Sequence, residues 1–309
     1  MRPILITCLL VAGCSTHAQP LPEPVARITF SPISESSGMV QSRRFDNVFW
    51  VHNDSGDAPR LFAINGEGKV IYPGFMAVHG ETPEQGKTEY QGVAINPAYN
   101  YDWEDVAIDD NYIYIADIGN NGNARRDLGI YVVAEPNPRA VAATRPITWY
   151  PVRYPEQSQY PADEWHYDAE SLFVFNDKFY IITKHREDRK ISQLEAGAQL
   201  YRMDTRHTDR PNVLTRVAES REIAAATAAE LAPDGRQLAV LCHLQLWVFE
   251  TPANGDNFFA SPARKISMTL EHIGQAESVT WLDNETLLIG NEQGGLYTMK
   301  VAEMPPHPR

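Results

Sequence analysis

Acidic residues recur in this 309-residue chain at positions that repeat. Glu104, Glu170 and Glu277 each open a short apolar run: EDVAID, ESLFVF and ESVTWL. Ser37 opens SGMVQS in a looser copy, and Ala229 opens AELAP in a further one. A turn and a second, more apolar run follow each time, and the second runs end on Asn53-Asp54, Asp117, Lys184, His243 and Asn291-Glu292. Several carboxylates in one rim repel one another, so they must take up protons, pair with cations or hold a metal. Hard oxygen donors suit Ca²⁺, with Mg²⁺ second. Asp54, Glu104, Asp117, Glu170 and Glu277 are therefore the candidate metal ligands. For each repeated Glu the alternative is structural: a carboxylate at a strand start can accept backbone N–H groups from the next repeat.

The loops HNDSGD (52–57) and DIGNNGNARRD (117–127) can wrap carboxylate and carbonyl oxygens around a cation. Neither follows the EF-hand pattern. Lys184 and Arg125, with Asn53 and Asn120 beside them, are the candidates for receiving an anionic group, Arg by its fork and Lys as a point charge. Pairing with the surrounding acids is the alternative for both cations and for Arg126. Other chemistries find little footing. There is no GxSxG elbow and no HExxH, and His52 with Ser55 makes no triad by spacing alone. Cys242 ends an apolar run and reads as a small buried residue. Trp50, Trp247 and Trp281 read as packing between repeats. Trp103 and Trp165 precede carboxylate motifs and are expected to line the rim, where a ring ligand could stack.

What must position these residues is a set of β-strands. Helical periodicity is almost absent after residue 26, and Asn176-Asp177 and Asp234-Gly235 are strong hairpin signals. Third strands with an aromatic follow each copy (RLFAIN, GIYVVAEP, QLYRMD, LQLWVFET, GLYTMK), and outer strands follow most (KVIYPGFM, ITWYPVRY, NVLTRVAE, RKISMTL). The last copy lacks an outer strand, and VARITFSPI at 25–33 can supply it. Four antiparallel strands per copy, closed from the other terminus, predict an all-β chain folded as a β-propeller. Five blades fit best, spanning 26–303 with a tail at 304–309. A sixth is open if the insertion around YQGVAIN hides strands. In such blades the starts of the inner strands and the ends of the second strands share one face near the axis, which gathers the polar residues at one channel mouth.

Composition narrows the function classes. Asp plus Glu is 40 against 27 for Lys plus Arg, a formal charge of −13. An acidic chain without a basic block does not bind nucleic acid through phosphate neutralisation. Residues 1–13 read as a secretory signal with a short apolar region. Val11-Ala12-Gly13-Cys14 resembles the lipobox of bacterial lipoproteins, which implies acylation of Cys14, a membrane partner through its acyl chains and a tether over 14–25. Ser15 after the cysteine resembles the outer-membrane sorting pattern, so an outer-membrane lipoprotein facing the periplasm or the surface is expected.

ESSGMVQSRRFDNVFWVHNDSGD, DWEDVAI, YIADIGNN, IYVVAEP and DAESLFVF…YIITK, in this order, resemble a poorly characterised group of bacterial secreted propellers. That group is distantly similar to the esterase-like and β-propeller phytase groups. The resemblance implies carboxylates that hold Ca²⁺ at Asp54, Glu104, Asp117, Glu170 and Glu277, but the phytase motifs themselves are not found. Three readings follow. The first is a monomeric, lipid-anchored propeller whose acidic face binds a divalent cation and a small-molecule or protein ligand. The second is a metal-dependent phosphoesterase or related esterase. The third is a structural assembly module of the cell envelope. An apolar or aromatic patch beside the rim would favour the binder.

Overall fold

The computed structural model describes residues 20–80, 82–83 and 86–308. The signal segment 1–13 and Cys14 lie outside the described residues. Among those described, the strands fall into five small, mainly antiparallel sheets set around one axis, so the chain is a five-bladed β-propeller. The inner strands are Ser36–Gln41, Trp103–Ile108, Asp168–Phe175, Ala226–Leu231 and Ala276–Trp281. The second strands are Phe49–Asn53, Tyr112–Asp117, Lys178–Lys184, Gln237–Cys242 and Thr286–Asn291.

The hairpins form where turn chemistry directs them. Asn176 and Asp177 both take positive φ, 49° and 58°, as a two-residue type I′ turn requires. Gly235 follows Asp234 at φ 71°. The Ala-rich stretch after Ile223 is strand on both sides of Ala225, whose φ of 56° turns the chain from the third blade into the fourth. The strand Val93–Ile95 pairs with Arg60–Ile64 and belongs to the first blade, so the first insertion builds no sixth blade.

The ring closes from its N-terminal side. Glu23–Arg27 pairs antiparallel with Gly295–Lys300, Glu23 opposite Thr298 and Arg27 opposite Gly295. Ile28 N–H donates to Gly294 O at 2.7 Å just beyond. The closing strand thus starts two residues before the stretch named from sequence and ends at Arg27. The C-terminal tail lies along the fourth blade, where His307 N–H donates to Ala263 O at 2.8 Å.

Large apolar side chains fill the spaces between blades. Trp50, Trp103 and Trp281 are fully buried, and Trp247 and Trp165 are nearly so. Trp103 and Trp165 therefore do not line the rim. The Trp103 ring packs edge-on to His52 and its Nε1 donates to Tyr99 O at 2.9 Å. Cys242 is buried in the fourth blade, where burial pushes its thiol up to about 12.

Candidate functional site

A β-bulge interrupts all five inner strands one or two residues after they begin. The register slips between Ser36 and Met39, Trp103 and Asp105, Ala169 and Ser171, Ala226 and Ala228, and Ala276 and Ser278. A bulge leaves a residue unpaired and re-aims its side chain. The skipped positions are Ser37 with Gly38, Glu104, Glu170, Thr227 and Glu277. This corrects the fourth copy: the equivalent of the repeated Glu is Thr227, two residues before Ala229. The two hydroxyls of the set act alike. Ser37 Oγ donates to Glu104 O at 2.8 Å, and Thr227 Oγ1 donates to Ala276 O at 3.0 Å, each stitching its blade to the next.

The carboxylates of the mouth divide into three environments. Asp54, Asp102 and Glu104 come from two blades, and one oxygen of each lies within 4.8 Å of the others. Glu104 is 5% exposed, and no hydrogen bond from a described residue reaches its carboxylate. Burial raises Glu104 well above the usual range, and Glu170, Asp54 and Asp102 add to the shift. Burial and then repulsion by Asp168 and Asp54 push Asp102 up to about 7, and burial raises Asp54. Gly119 makes the approach possible. A Cβ there would lie 2.1 Å from Glu104 Oε1 and 2.3 Å from Asp102 Oδ2.

The second environment already holds a cation. Lys184 Nζ donates to both oxygens of Glu170 at 2.5 Å. Burial works against that ammonium, but Glu170, Glu277 and Asp168 outweigh it and keep its pKa above the usual lysine value. Arg186 Nε donates to Asp168 Oδ2 at 2.7 Å, and its Nη2 stands 3.7 Å from Glu170 Oε1. Glu277 sits across from them with His243 Nδ1 at 3.4 Å. Burial, then Lys184 and Arg186, lower His243 to about 3, so its imidazole is neutral. Glu170, His243 and Glu277 also bring one donor atom each within 4.8 Å.

The third is an ion pair. Asp117 Oδ1 receives Arg125 Nη1 at 2.8 Å and the Asp102 backbone N–H at 3.2 Å. Arg125 also donates to Gly119 O and Asp127, which spends most of its fork within the loop. Asn53 and Asn120 brace their loops. Asn53 Oδ1 accepts from Ser34 and Glu35, and its Nδ2 donates to Pro32 O and Asp57. Asn120 accepts from Arg125 N–H and donates to Tyr167 O and Asp168.

Of the five candidate metal ligands, the structure brings Asp54 and Glu104 together, places Glu170 and Glu277 around Lys184, and pairs Asp117 with Arg125. Sequence reasoning passed over Asp102, Asp168 and Arg186. The signal was a repeated D-x-E: Asp102-Trp-Glu104 and Asp168-Ala-Glu170 put a second acid on the same side of the strand. It also passed over Asp105, which does what the repeated Glu could have done. Asp105 is buried, and its Oδ2 accepts from Leu172 N–H at 2.8 Å and Ala229 N–H at 3.1 Å. One side chain of the second blade thus holds the third and fourth. Burial raises this carboxyl well above its usual range, against the backbone donors that favour its charged form.

No protein-family model matches the sequence, and no curated protein matches it. Solved structures of similar fold include the PQQ-bound aldose sugar dehydrogenase of Streptomyces coelicolor, at 10% identity and TM-score 0.45, over 92% of this chain and 99% of that one. A luciferin-regenerating enzyme is similar at 10% identity and TM-score 0.46, over 94% and 79%. A glucose dehydrogenase is similar at 9% identity and TM-score 0.47, over 91% and 99%. At such identity the likeness is one of overall fold.

Proposed function

We propose that this protein is a cell-envelope propeller whose acidic mouth binds one divalent cation at Asp54, Asp102 and Glu104 and receives a ligand on the same face. One observation carries the reading: three carboxylates from two blades converge within 4.8 Å, and among the described residues no Lys or Arg is hydrogen-bonded to them as Lys184 is to Glu170. Oxygen donors of this charge fit Ca²⁺ before Mg²⁺, because Ca²⁺ tolerates an irregular set and leaves room for ligand oxygens. Acylation of Cys14 would hold the propeller at the membrane, by resemblance to the lipobox, with the mouth reached from the aqueous side.

Calorimetric titration of chelator-treated protein with CaCl₂ tests the cation site. Saturable heat that Asp54→Asn with Asp102→Asn removes, at an unchanged fold, is the expected result. No heat from Ca²⁺ or Mg²⁺ at millimolar concentration would overturn it.

A second reading is favoured by His243. His243 Nδ1 lies 3.4 Å from Glu277 in the same mouth as the candidate cation site, and imidazole, carboxylate and metal together suit metal-assisted hydrolysis of a phosphoester or related ester. Chelator-sensitive turnover of 4-nitrophenyl phosphate or acetate, lost in His243→Gln, would establish it.

A further inference from the structure

A mostly apolar hollow of about 470 Å³ opens beside the mouth, with His243 on its edge. Its walls carry Leu194, Leu244 and Leu270, which are 43%, 43% and 57% exposed. Isolated exposed leucines are ordinary surface. Three around one concavity, from three separate loops, are not.

All three loops are held in place. The segment bearing Leu194 folds back on itself, with Glu187 N–H donating to Gln193 O at 2.8 Å and Glu195 N–H to His185 O at 3.0 Å. Leu244 O accepts the Met268 N–H at 2.9 Å. Leu270 opens a single helical turn whose Thr269 side chain accepts the His272 N–H. At the base lies Ala225, held in the left-handed region that residues other than Gly seldom occupy, with its carbonyl accepting the His243 N–H at 3.1 Å. The hollow is preformed.

Its lining includes no carboxylate, Lys or Arg. The polar side chains are His243 and two amides, Gln245 and Gln275. A charged ligand seated there would lose hydration without gaining a counter-charge. His243 turns its buried Nδ1 towards Glu277 at 3.4 Å, away from the hollow, so the apolar walls dominate what a ligand meets.

We infer that the hollow seats an uncharged, mostly hydrocarbon small molecule. This rests on the reading that the face binds a ligand, and not on which cation occupies the neighbouring carboxylates.

The test is a fluorescence titration of the full chain with N-phenyl-1-naphthylamine, an uncharged apolar dye. Saturable one-site enhancement is expected. Leu244→Asp and Leu270→Asp, at half-exposed positions that leave the melting curve unchanged, should each weaken the dye by about tenfold. The sulfonated analogue 8-anilinonaphthalene-1-sulfonate should bind about tenfold more weakly than the neutral dye. No saturable binding, parental affinity in both Asp variants, or a preference for the sulfonate would overturn the inference. So would a concentration-dependent dimer that masks the dye, since a second copy would then cover the hollow. Running the titration in Ca²⁺ and in chelator separates the two claims. Dye binding without Ca²⁺ heat leaves the hollow and removes the cation site; Ca²⁺ heat without dye binding does the reverse.

Discussion

At the scale of single residues, the mouth is a place where protons and metal compete for the same oxygens. Asp102 stands near pH 7 in the folded chain against a usual 3.8. Between those values the metal-free folded state holds a proton that the unfolded chain has released. Stability therefore falls as pH rises through that window. The melting temperature of chelated protein should drop by about 5 °C from about pH 5 to pH 8. Saturating Ca²⁺ should cancel the drop, because a ligand bound only by the native state stabilises it by mass action. A chelated melting temperature that does not fall with pH would argue that the three carboxylates are not coupled. Gly119 gives a sharper test. The alanine methyl would meet both Glu104 and Asp102, so Gly119→Ala should abolish the Ca²⁺ heat while leaving Lys184 and Glu170 paired. A variant that still binds Ca²⁺ with parental affinity would move the cation elsewhere.

At the scale of strands, bulges and closure decide the architecture. Gly38 lies in the first bulge, where a Cβ would come within 2.6 Å of His52 Nε2 and 2.8 Å of Val106 N. The second contact is backbone, so the first two inner strands must separate. Gly38→Ala should cost about 2–4 kcal/mol in urea unfolding, in the range of overpacked cores. A loss under about 0.5 kcal/mol would mean that the inner ring is not close-packed there. Removing residues 20–27 takes away the strand that closes the fifth blade and exposes the Gly295–Lys300 edge. Aggregation or a large fall in melting temperature is expected by light scattering and calorimetry.

For the molecule as a whole, Asp105 ties three blades through two buried N–H groups. Asp105→Ala orphans both at about 1–3 kcal/mol each. If the propeller unfolds as one unit, calorimetry should show a single transition shifted down, with no separate early melting of the third and fourth blades. Two resolved transitions would show that the ring is not cooperative. The address is a property of the whole chain too. Cys14→Ala should release the protein from the membrane fraction into the soluble periplasm, and a variant that still sediments with membrane would refute acylation there.

Strand grammar and closure from the N-terminal side were legible in the residues alone; five blades fitted best, and the sixth was excluded only by the pairing of Val93–Ile95 with Arg60–Ile64. Alternation, turn dipeptides and an unpaired first strand are local patterns, and each copy repeats them. The sequence also placed the acids on one face, because strand starts and ends alternate in direction with each hairpin. It did not determine which acids share a cation and which already own one. That depends on distances between residues far apart in the chain. Lys184 reaches Glu170 within its own hairpin, Arg125 turns back onto Asp117, and among the described residues Asp54, Asp102 and Glu104 are left facing one another with no Lys or Arg bonded to them. Nor could the alternation show Asp105 as the tie between blades. A one-residue bulge after Trp103 re-aims the strand there, and the donors Leu172 and Ala229 come from strands that meet it only when the ring closes. The hollow of Leu194, Leu244 and Leu270 is likewise absent from any local pattern, since no two of its walls lie on the same loop.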